Sequence, residues 1–114
     1  MPYKNKMYYT YIVRCEDDSV YTGITNDVGR RMKEHFSKNQ KCAKYTASHT
    51  AKQLEALWQS ESRSAALKLE FRIKQLTKPQ KEKLISENDL SVFKDQIDAE
   101  NYERIKITTD GGTF

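Results

Sequence analysis

The stretch from Tyr9 to Phe36, YTYIVRCEDDSVYTGITNDVGRRMKEHF, leaves this chain few folds to choose from. Met7 to Cys15 and Val20 to Thr25 are dense in β-branched and aromatic residues, the composition of strands. Between them Glu16, Asp17, Asp18 and Ser19 supply a turn without glycine. Asn26 or Asp27 then caps a helix whose apolar stripe is Val28, Met32 and Phe36. A hairpin running directly into an amphipathic helix is the frame.

Loop length decides what this hairpin can present. A two- or four-residue loop sets Tyr11 opposite Ile24 and Tyr21 opposite Arg14, on opposite faces of the sheet. A three-residue loop, Glu16 to Asp18, pairs Val13 with Tyr21 and Tyr11 with Gly23, and both rings share a face. At about 100° per residue, Arg31 and His35 project along one edge of the helix stripe, whereas Arg30, Lys33 and Glu34 point to solvent. Taken singly, Arg31 also reads as a snorkelling side chain and His35 as a packed histidine.

Downstream, Ser37 to Thr50 is small, polar and basic and reads as a surface loop, with room for a helical turn. Lys41, Lys44 and Tyr45 are suited there to phosphate and base contact, lysine neutralising the backbone and the ring stacking. His49 has no visible partner. Gln53 to Gln59 alternates Leu54, Ala56 and Trp58 with polar neighbours as a third strand, Leu57 excepted. Ser62 caps a helix to about Leu76 with Ala66, Leu69, Ile73 and Leu76 on its apolar face. Glu70 lies within that face, a costly position for a carboxylate unless it is paired or holds a metal; a bridge to Lys74 alone contributes only about 0.3–0.5 kcal/mol. Thr77 and Gln80 form a capping box that restarts the helix through Ile85.

The organisation expected is one core-bearing domain over residues 1–86. An acidic extension, residues 87–114, packs on or trails from it, with Val92, Phe93, Ile97 and Ile105 as its apolar contacts. The net charge of +4 hides an asymmetry: residues 1–85 carry 17 Lys and Arg against 9 Asp and Glu, and residues 86–114 carry 3 against 7. A positive field over the first part favours a polyanionic partner, nucleic acid foremost. No apolar run approaches the roughly 18 residues of a spanning helix, and MPYKNKMYY lacks a signal-peptide h-region, so no membrane role and a cytoplasmic location are expected. Cys15 and Cys42 lack metal-ligand spacing, so neither a disulfide nor zinc is expected.

At Tyr9-Thr10-Tyr11, Tyr21-Thr22-Gly23, Arg31, His35 and Glu70, and in the run LEFRIKQLTKPQKEKL, the chain resembles the small stand-alone bacterial branch of the GIY-YIG nuclease superfamily. The likeness extends from about Tyr8 through Ile85. Tyr9 and Thr10 replace the Gly and Ile of GIY, and Thr22 the central Ile of YIG. The resemblance implies an α+β fold, a small three-stranded antiparallel sheet flanked by helices. It also implies catalytic roles for Tyr11, Tyr21, Arg31, His35 and Glu70, with Glu70 the ligand of Mg²⁺ or Mn²⁺.

Those residue types suit phosphodiester hydrolysis. A carboxylate can hold one Mg²⁺ that keeps most of its waters, a guanidinium fork can clamp a phosphate oxygen, and a phenol can position or deprotonate water. Which of Tyr11, Tyr21 and His35 is the base stays open. Gly23 would let a substrate backbone approach. The function implied is a divalent-metal-dependent endonuclease acting on DNA, including branched, nicked or single-stranded forms, in repair or recombination. The alternatives are a nucleic-acid-binding module with weak or lost nuclease activity, and an interaction adaptor using the acidic segment. A protein partner supplying specificity is a further expectation.

Overall fold

The computed structural model describes residues 6–37 and 43–107. Its sheet is antiparallel throughout, with β1 (Tyr8–Cys15) between β2 (Val20–Thr25) and β3 (Ala51–Ser60), and β4 (Glu103–Arg104) on the outer edge of β3. Four strands therefore stand where three were expected. The fourth is only two residues long, too short for any periodic signal, and its pairing continues through Ile105, whose N–H donates to the Leu57 carbonyl at 2.8 Å.

The hairpin takes the three-residue loop. Cys15 N–H donates to Ser19 O at 2.8 Å, Asp18 N–H donates to Cys15 O at 2.9 Å, and Asp18 is left-handed with φ 73°. This is the turn-plus-left-handed-residue solution for such loops, and aspartate tolerates the conformation that usually selects glycine. Tyr11 consequently faces Gly23, and Val13 faces Tyr21.

Both faces of the sheet are covered. On one, α3 (Arg63–Lys74) and α4 (Lys78–Glu87) bury Ile12, Ala56, Trp58, Leu69, Ile73 and Leu84. On the other, α1 (Val28–Ser37) packs Met32 against Tyr11, Val13, Leu54 and Leu57. This accounts for Leu57, whose inward-facing neighbours belong to a second core. It also corrects the expected grouping of Leu54 with Ala56 and Trp58. The β1–β3 register slips between Ile12–Ala56 and Val13–Leu54, leaving Glu55 as a bulge that turns Leu54 to the α1 side.

The predicted caps hold: Ser62 Oγ accepts from Ala65 N–H at 3.0 Å, Thr77 and Gln80 close a capping box, and Asp27 Oδ1 accepts from Arg30 N–H at 3.1 Å. Two expectations for α1 fail. Phe36 is 42% exposed rather than part of the stripe, and Glu34 is buried because it folds back onto Arg31 one turn earlier. The acidic segment shares the core through Phe93 and Ile97, while Val92 stays exposed. Tyr102 also donates to Ala65 O at 2.7 Å. Among the described residues no helix is long and apolar enough to cross a membrane.

Candidate active site

Tyr11 is the centre of the site. Its ring lies over Gly23, so close that a Cβ built on that glycine would stand 2.5 Å from the phenol oxygen and 2.7 Å from Cζ. The space expected for a substrate backbone at Gly23 is thus occupied by the phenol. The hydroxyl is held from two sides, by His35 Nε2 at 2.8 Å and by Arg31 Nε, which donates to it at 3.3 Å. Tyr21, two residues before Gly23 on β2, completes the cluster with ring centroids 6.3 Å from Tyr11 and 5.5 Å from His35.

His35 is fully buried, and its other ring nitrogen, Nδ1, lies 2.8 Å from Thr46 Oγ1 on α2 (Lys44–Ser48). The Thr46 hydroxyl donates to Ala43 O at 3.2 Å. A hydroxyl has one proton, so the pattern assigns the Nδ1–H tautomer to His35 and leaves Nε2 to accept the Tyr11 proton. The chain of hydrogen bonds then runs from Arg31 through Tyr11, His35 and Thr46 to a backbone carbonyl. Burial, reinforced by the Arg31 charge, lowers the His35 pKa to about 4; Glu34 opposes it. Burial likewise raises Tyr11 to about 12, with Arg31 pulling down and Tyr21 and Glu70 pushing up. At rest the pair is neutral imidazole and neutral phenol.

Thr46 gave no sequence signal, lying in a run of small polar residues whose helical turn brings it inward. Glu34 was missed because helical phase alone points it outward; its carboxylate accepts from Arg31 Nη1 at 2.6 Å and fixes the guanidinium edge. His49, without a visible partner in the sequence, stacks on Tyr45 at 4.1 Å between centroids, and its Nδ1 lies 2.6 Å from Asp17 Oδ2 in the hairpin turn. Tyr45 in turn stacks on Tyr21 at 5.7 Å, so it is engaged in joining α2 to the hairpin. Lys44 is exposed beside it, and Lys41 lies outside the described residues.

Glu70 is reached through Lys74. The two pair at 3.2 Å, and the Lys74 ammonium sits 5.6 Å from the Tyr21 ring centroid. The carboxylate therefore borders the tyrosine cluster, close enough to raise the Tyr11 pKa. Its side chain is 19% exposed and that of Lys74 49%, so the pair is open to solvent rather than sealed. Among the described residues no group of three or more His, Cys, Asp or Glu could enclose a metal ion. A lone, solvent-reachable carboxylate still fits Mg²⁺ or Mn²⁺, since Mg²⁺ retains several waters and takes one or two protein carboxylates.

Residues 7–83 match the model of the GIY-YIG catalytic domain. UPF0213 protein FN1575 of Fusobacterium nucleatum is 46% identical over 100 residues, covering 88% of this chain and 94% of that protein. UPF0213 protein YhbQ of Salmonella typhimurium is 44% identical over 82 residues, covering 72% and 80%. The solution NMR structure of the UPF0213 protein BH0048 from Bacillus halodurans shares 42% identity, covers 70% of this chain and 83% of its own, and superposes with a TM-score of 0.47. Tyr11, Tyr21, Arg31 and Glu70 all fall inside the matched domain, and the chain belongs to the GIY-YIG family.

Proposed function

We propose that this protein is a divalent-metal-dependent endonuclease that hydrolyses phosphodiester bonds in DNA. The observation that carries the reading is the polarised hydrogen-bond chain from Arg31 to Thr46 through Tyr11 and His35, beside a solvent-reachable Glu70. A neutral histidine within bonding distance of a phenol, with a carboxylate beside the pair, is the arrangement expected where a proton is to be moved.

Glu70 would hold the Mg²⁺ or Mn²⁺ ion, which when bound supplies positive charge against that developing on phosphorus. Arg31, half buried and already bound to Tyr11 and Glu34, would set its guanidinium charge against a non-bridging phosphate oxygen. Tyr11 orients the attacking water. As the water oxygen bonds to phosphorus, its proton passes to the Tyr11 oxygen and the phenol proton moves to His35 Nε2. The phosphorus bond to the leaving sugar oxygen breaks, and that oxygen takes a proton from solvent. The base is therefore the Tyr11–His35 pair, with Thr46 holding the tautomer and Tyr21 closing the apolar wall. A role in repair or recombination, and a partner that directs the protein to its substrate, accompany this reading.

Cleavage of plasmid, single-stranded and branched DNA with Mg²⁺ or Mn²⁺ tests it, comparing the native protein with Glu70→Ala and Arg31→Ala. Activity present in the native protein and lost in both variants is expected; equal activity in all three overturns the proposal. The Glu70–Lys74 pair favours one competing reading, a DNA-binding module without turnover. Salt-steep binding with no product under any of these conditions establishes that reading instead.

A further inference from the structure

An open groove of about 370 Å³ adjoins the site at Arg31, lined by Thr25 and Asn26 together with Arg30, Arg31 and Arg63. Arg31 belongs to both, since its Nε bonds Tyr11 while its side chain lines the groove. Resting on the nuclease reading above, we propose that this groove is a second phosphate subsite, in which Arg30 and Arg63 hold the DNA phosphate neighbouring the scissile one.

Three guanidinium groups face a single carboxylate there, Glu34, and that carboxylate is bound at 2.6 Å to Arg31. Arg30 reaches it only at 3.9 Å and is 59% exposed, a contact worth little in water. Arg63 opens α3 directly after the Ser62 cap and has no carboxylate partner among the described residues. Neither arginine supports the core: both stand exposed. Guanidinium forks match phosphate geometry, and a groove of this volume accommodates a ligand of nucleotide size. The two come from different elements, α1 and α3, so a strand between them is gripped from both sides. Arg30 and Arg63 would be positioning residues, fixing the strand so that the next phosphate meets Arg31 and Glu70.

The test is binding of a fluorescein-labelled duplex of about 20 base pairs in EDTA across a NaCl series, where each lost phosphate contact lowers the slope of log K against log salt by about 0.9. Arg30→Gln and Arg63→Gln should each lower it by about that amount and the double variant by about twice it. Lys83→Gln, on α4 and outside the groove, should leave it unchanged. Thermal unfolding at the native temperature shows that the variants are folded. In cleavage, KM should rise with kcat largely retained. A native slope in the double variant overturns the subsite, even where cleavage itself is confirmed. Arginine-dependent binding without cleavage by the native protein overturns the nuclease reading and leaves the subsite standing.

Discussion

Gly23→Ala is a perturbation whose sign depends on where the Tyr11 ring sits. A glycine inside a strand normally costs stability, and replacing it with alanine in a compatible backbone stabilises by about 0.4–1 kcal/mol by restricting the unfolded chain. Here the added Cβ would lie 2.5 Å from the Tyr11 oxygen and 2.7 Å from Cζ, well inside van der Waals contact. The ring cannot swing away cheaply, because it is 1% exposed and its hydroxyl is held by His35 and Arg31. Overpacking of this kind costs about 1–3 kcal/mol, which outweighs the entropic gain. Net of that gain the loss is up to about 2.6 kcal/mol, and at about 4 °C per kcal/mol for a domain of this size the midpoint should fall by up to about 10 °C. Displacing the phenol by even a few tenths of an ångström also loosens the bond to His35, so cleavage should fall further than stability does. Calorimetry of Gly23→Ala, Tyr11→Phe and the double variant provides the assay. The phenylalanine ring lacks the two anchoring bonds, so the cost of Gly23→Ala should shrink in that background without vanishing, Cζ being still present. A rise in midpoint for Gly23→Ala in the native background refutes the reasoning.

Three further outcomes follow from the same geometry. His35 takes up a proton at about 4 in the fold against an ordinary 6.5, so its contribution is complete above pH 6.5 and is lost as pH falls toward 4, about 3 kcal/mol in all; urea unfolding at pH 7 and pH 4 should show His35→Gln losing less stability than the native protein. Thr46→Val keeps the shape but removes the acceptor for His35 Nδ1–H, and should cost about 1–3 kcal/mol and lower kcat with KM unchanged, measured by urea titration and steady-state cleavage. Arg14, bound to Glu82 at 2.5 and 2.7 Å and to Glu55 at 3.6 Å, ties the hairpin to α4 away from the site; Arg14→Ala should lose about 1–3 kcal/mol in urea titration while a cleavage assay on the folded protein shows native kcat.

The hairpin, the helix caps and the Glu70 helix were legible because each is a local signal: β-branched runs, Ser62 and Thr77 before apolar stripes, polar turn residues. The register of Tyr11 against Gly23 was reduced by parity to a single condition on the turn, which Asp18 meets with its left-handed backbone. Leu54, Glu34 and Thr46 were not legible. A bulge at Glu55 turned Leu54, a counterion required by Arg31 drew Glu34 inward, and a helical turn in a featureless polar run carried Thr46 to His35.

The order of the sequence alone thus settled the hairpin, the third strand and the helices α1, α3 and α4, though not β4 or the turn of α2, since periodicity, capping and turn chemistry act within about a dozen residues. Only the tertiary structure decided that Gly23 houses a phenol, that His35 is neutral with Nε2 facing Tyr11, and that Arg63 comes to share a groove with Arg30. Those outcomes depend on contacts between segments tens of residues apart, where packing and desolvation, not local propensity, set the free energy.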